Sequence, residues 1–158
     1  MTISLHPHSL ASRQGREFAD ECIRLATRVG FVVRDQRVVI PECGVEVDLI
    51  IENTQGIAFF VECKGSFRDR PGLQRTDTLK KAIASMLLLD AVGIGPLLVL
   101  TSHRPVDGVG VAMLRVAQQE VPFEVLVPRD DYRRLFRLAV ATESDLAGES
   151  WNFRRRLV

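Results

Sequence analysis

Apolar residues in "GREFADECIRLATRV" recur at Phe18, Cys22, Leu25, Ala26 and Val29 with charged residues between them. This spacing predicts an amphipathic helix over 15–29, stopped by Gly30. The period then drops to two. "FVVRDQRVVI", "VEVDLII" and "GIAFFVECK" are runs rich in Val, Ile and Phe, separated by "PECG" and "NTQG", which predicts an antiparallel meander of three strands. Helical spacing returns in "DTLKKAIASMLLLDAV", ending at Gly93. "PLLVLTS" follows as a short buried strand, "VDGVGVAMLRVAQQE" as a helix, 122–127 as a strand and "RDDYRRLFRLAVA" as a last helix. Strands that alternate with helices after an antiparallel start point to an α/β protein, a mixed sheet with helices packed on its faces. The expected organisation is an N-terminal tail over 1–14, one domain over 15–142 and a polar tail over 143–158, with "SFRDRPGLQR" as the one long loop.

At 158 residues the chain is long enough for one sizeable core. Its 46% hydrophobic and 26% charged residues are ordinary for a globular domain, which excludes collagen, coiled coil and wholesale disorder. No segment approaches the roughly 20 apolar residues that span a bilayer, and no signal peptide is evident, so a cytoplasmic protein with no membrane partner is expected. Cys22, Cys43 and Cys63 form no Cys-x-x-Cys pair and read as buried thiols. The net charge of +1 argues against a sequence-independent nucleic-acid coat. Its distribution is uneven, because four acids and no base lie in 42–52 while six bases and two acids lie in 64–81.

The chemistry gathers at the end of "GIAFFVECKG". Period two puts Glu62 and Lys64 on one face of the third strand with Ala58 and Phe60, and Val61 and Cys63 on the other. Both faces are largely apolar, so the strand should be central. A three-residue loop of Thr54, Gln55 and Gly56 would pair Asn53 with Ile57, and so set Asp48 opposite Glu62 and Glu46 opposite Lys64. Facing carboxylates destabilise a sheet by up to about 1 kcal/mol, more when buried. A divalent cation relieves this, with Asp48, Glu62 and the Cys63 carbonyl as oxygen ligands and Lys64 beside a water or phosphate oxygen. The plainer alternative is a solvated strand end with a Glu46–Lys64 ion pair.

Asp48 followed by Glu62-Cys63-Lys64-Gly65 resembles the PD-(D/E)xK nuclease superfamily, which has the restriction endonuclease-like fold. The predicted order of helix, three strands, helix and strand is similar to that family's core over 15–102. The resemblance implies metal binding by Asp48 and Glu62 and action of Lys64 on the attacking water. It also implies Mg2+ or Mn2+ as cofactor and phosphodiester hydrolysis, most simply by a DNA endonuclease acting as a homodimer. Val47 stands where many relatives have the motif proline. Many relatives add an acid from the first helix; of Glu17, Asp20 and Glu21, Glu21 lies nearest the apolar stripe.

With Thr76 or Asp77 as N-cap, Lys80 and Lys81 fall in the first turn of the second helix, where they oppose its dipole. Together with Arg68, Arg70 and Arg75 they are candidate phosphate ligands. Two other function classes remain open. One is a catalytically inactive DNA-binding or assembly module of the same fold, and the other is a structural domain whose strand end is only an ion pair.

Overall fold

A computed structural model describes residues 7–65 and 71–149, with side chains from residue 13 onward. Arg68 and Arg70 lie outside the described residues. Five strands form one mixed sheet in the order β1 (Val32–Ile40), β2 (Val45–Glu52), β3 (Ala58–Lys64), β4 (Leu97–Thr101) and β5 (Phe123–Leu126). The first three are antiparallel, and β3, β4 and β5 are parallel neighbours. β3 is therefore central, as its two apolar faces predict.

Helix α1 (Pro7–Val29) begins eight residues before the predicted start, so most of the expected tail is helical. Proline suits a first helical position, and Arg13 supports the added turns through a 3.0 Å pair with Glu17, one turn on. At the other end Gly30 has φ 113°, and the Phe31 amide reaches back to the Ala26 carbonyl at 3.0 Å, closing the helix. Helix α2 (Thr76–Ala91) connects β3 to β4, and α3 (Gly108–Glu120) connects β4 to β5. Helix α4 (Tyr132–Val140) follows β5. A short α5 (Glu143–Gly148) occupies part of the expected polar tail, started by reciprocal hydrogen bonds between Thr142 and Asp145.

The sheet separates two cores. On one face, Phe18, Cys22 and Ala26 of α1 and Leu135 and Leu138 of α4 pack on Phe59, Val61 and Leu98. On the other, Leu79, Met86 and Leu89 of α2 and Ala117 of α3 pack on Leu97, Val99 and Phe123. Odd-numbered β3 residues thus belong to the α1 side and even-numbered ones to the α2 side. The β2–β3 hairpin has the predicted register, with Gly56 at φ 77° and the Asn53 amide bonded to the Ile57 carbonyl at 3.0 Å. Asn53, 4% exposed, donates to the carbonyls of Leu138 and Ala141 and accepts from the amides of Gln55 and Ile57. No helix among the described residues is long and apolar enough to cross a membrane.

Candidate active site

The β2–β3 ladder runs from Glu52 opposite Ala58 to Leu49 opposite Val61 and stops there. The next rung in this register would join Asp48 to Glu62. Instead, the Asp48 carboxylate accepts the Cys63 amide at 2.7 Å, so a side chain replaces a backbone acceptor where the strands part. Amide and carbonyl of one strand residue point toward the same edge, so the Cys63 carbonyl also faces the β2 side. On the opposite edge the Lys64 carbonyl is held 2.8 Å from the Thr101 hydroxyl and 3.3 Å from the Ser102 amide.

Asp48, Glu62 and Lys64 meet at this point on the α2 side. The Lys64 ammonium is in contact with the Glu62 carboxylate and 3.7 Å from Asp48 Oδ2. Glu62 is only 2% exposed. Its burial raises the carboxyl above the ordinary range, and the nearby Asp48 charge adds to the effect. Lys64 and a hydrogen bond from Ser85 of α2 pull it back without cancelling the rise. Burial pulls Lys64 down, but the carboxylates of Glu62 and Asp48 outweigh it and hold the ammonium above its usual pKa. The site is therefore a desolvated carboxylate, a second carboxylate and one cation that serves both.

On the reverse face of the strand, the partly buried Cys63 thiol is hydrogen-bonded to Cys22, which together with desolvation pushes its pKa well up. All three cysteines are free, but only Cys22 is buried as expected; Cys43 and Cys63 are half-buried. A Cβ on Gly65 would lie 2.0 Å from Phe18 Cγ, so glycine is required where α1 crosses the exit of β3. The chain returns toward α2 at Gly72, φ 56°, whose missing Cβ makes room for Thr101 and the His103 backbone.

Several predicted members do not converge here. Glu46 pairs with Arg37 of β1 at 3.4 Å, not with Lys64, because the β2–β3 ladder has ended before it. Glu21 is the least exposed of the three candidate acids of α1, but its carboxylate is bonded to Arg129 on the α1 side of the sheet. Glu17 is committed to Arg13, and Asp20 is exposed. The N-cap of α2 is Arg75, which places Lys80 and Lys81 past the first turn. Arg75 is exposed and 3.6 Å from Asp77. Lys80 points into a groove between α2 and α3 on the outside of the molecule. Lys81, exposed, lies one turn before Ser85 on the same side of α2. Because α2 runs back against β3, that turn is displaced toward Lys64. Ser85 and Thr101 are the supporting residues that sequence reading missed, since nothing local distinguishes them from other small polar residues.

Asp48, Glu62 and the Cys63 carbonyl are hard oxygen donors, a set that suits a cation retaining much of its water, such as Mg2+ or Mn2+, rather than zinc. Among the described residues no group of three or more His, Cys, Asp or Glu side chains gathers at one point. Two carboxylates are within the number from which magnesium is held when substrate oxygens and water complete its shell. Compared with protein-family models, with curated proteins and with solved structures, the chain finds no match, so its geometry alone carries the functional reading.

Proposed function

We propose that the chain is a Mg2+- or Mn2+-dependent nuclease of the PD-(D/E)xK type, with a restriction endonuclease-like fold and DNA as substrate. The observation that carries the reading is the convergence of Asp48, Glu62 and Lys64 where the central strand leaves its antiparallel partner. The element order and the mixed sheet agree with such a core.

In this reading Asp48 and Glu62, with the Cys63 carbonyl, hold the ion. When bound, the ion lowers the pKa of coordinated water and neutralises charge on the leaving oxygen. Lys64 stays protonated, since its pKa is raised, and its ammonium donates to the attacking water or to a phosphate oxygen and holds it in line. Ser85 keeps the Glu62 carboxylate turned into the site, and Lys81 supplies positive charge for the flanking phosphate backbone.

A second reading, a non-cutting DNA-binding or structural module, has one observation in its favour: Lys64 satisfies both carboxylates without a cation. The two readings separate when purified protein is incubated with supercoiled plasmid and with branched DNA in Mg2+, Mn2+ or chelator. The nuclease reading expects metal-dependent nicking that Asp48→Asn and Lys64→Ala abolish. A folded wild type that cuts neither substrate and shows no Mg2+ affinity by calorimetry would overturn it.

A further inference from the structure

We infer that the outer face of α2 and α3 is a docking surface for a second copy of this chain. An open groove of about 610 Å3 runs between the two helices, floored by Ile83 and Leu87 of α2 and Met113 and Val116 of α3. Leu87 is 42% exposed and Val116 53%. Leu88, next to Leu87, and Val109, one turn before Met113 on the same side of α3, are exposed too. Contiguous apolar surface of this kind marks an interaction site.

Charge identifies the occupant. Both helices cross between parallel neighbouring strands, so they lie side by side and run the same way. Lys80, the first groove residue of α2, therefore stands at one end, and Glu120, the last of α3, at the other. Neither has an ion pair within the chain among the described residues. A two-fold axis through the middle of the groove brings Lys80 of each copy onto Glu120 of the other while the apolar floors meet. An isologous interface needs this self-complementarity, residue i meeting j and j meeting i. A nucleic acid or an anionic membrane would meet the Glu120 end as like charge. The inference holds whether or not the site cuts DNA. If it does, the second copy brings the second site that a duplex requires.

Light scattering and sedimentation velocity over roughly 1–200 µM test the assignment by mass alone. The wild type is expected to be dimeric at the upper end, and Val116→Asp monomeric. Lys80→Glu and Glu120→Lys should each weaken the dimer about tenfold, and the combined reversal should recover most of the loss. Thermal melts confirm that each variant is folded. A wild type that stays monomeric throughout overturns the inference and leaves the groove to a different protein. A dimer indifferent to these changes, or a double reversal no better than the single ones, overturns it equally.

Discussion

Removing the cation of the site while leaving its buried carboxylate isolates the electrostatics of Glu62. In Lys64→Met the aliphatic stem is kept and the ammonium is lost, so the Glu62 carboxyl, 2% exposed, faces Asp48 with only Ser85 to compensate it. Breaking one half of a buried ion pair costs about 3–5 kcal/mol when the remaining charge must stay ionised. Glu62 can escape by taking up a proton. That route costs about 1.4 kcal/mol for each pH unit between its ordinary value of about 4.3 and the solution pH, or about 3.7 kcal/mol at pH 7 and about 1 kcal/mol at pH 5. The penalty is therefore capped by pH. Burial raises the Glu62 pKa in the folded state, so the proton stabilises the fold. That stability is complete below the unfolded value and is lost as pH rises through the folded one. Urea unfolding from pH 5 to 8 should show Lys64→Met losing about 2–4 kcal/mol relative to wild type near pH 7 and about 1 kcal/mol or less at pH 5. Glu62→Gln/Lys64→Met should lack this slope. Equal losses at pH 5 and pH 8 would refute the claim that Glu62 is desolvated and dependent on Lys64.

Asp48→Asn keeps an acceptor for the Cys63 amide and should stay within about 1 kcal/mol of wild type, whereas Asp48→Ala orphans that amide and should lose about 1–3 kcal/mol, read from urea midpoints. Millimolar Mg2+ should raise the melting temperature of the wild type and leave Asp48→Asn unmoved, a binding readout independent of cleavage. Gly65→Ala should cost about 1–3 kcal/mol by driving a methyl into Phe18, and Phe18→Leu should restore part of the loss. Asn53→Ala should lower stability by about 2–4 kcal/mol, because two carbonyls and two amides each lose a hydrogen bond at a buried corner.

What could be read along the chain was whatever is decided locally. Alternation in "VEVDLII" and "AFFVECK", with Gly56 at the one position that needs positive φ, determines the hairpin register and the faces of Asp48, Glu62 and Lys64. Periodicity alone shortens helix α1, because 7–14 carries no apolar stripe and propensity with an end-on proline does not show as periodicity. The Thr142–Asp145 capping pattern was present but lies in a segment whose polarity suggested a tail. The fates of Glu21 and Glu46 were out of reach for another reason. Glu21 is claimed by Arg129, 108 residues away, and Glu46 by an edge-strand arginine, so both depend on tertiary neighbours. Lys80 and Lys81 diverge because adjacent helical residues point about 100° apart, which is harmless to an amphipathic reading and decisive for a site.

The division of β3 between two cores bears on how this chain tolerates change in length. Substitutions at Glu62 or Lys64 touch the α2 side and leave the packing of Phe59, Val61 and Cys63 against α1 intact. One residue gained or lost between the hairpin loop and Glu62 would exchange the two sets. It would drive the carboxylate and ammonium into the cluster around Phe18 and Cys22 and turn Cys63 toward Asp48. Lineages descended from such a chain should accordingly vary in the lengths of the segments before β2 and after Gly65, while the spacing from Asp48 through the hairpin to Lys64 stays constant.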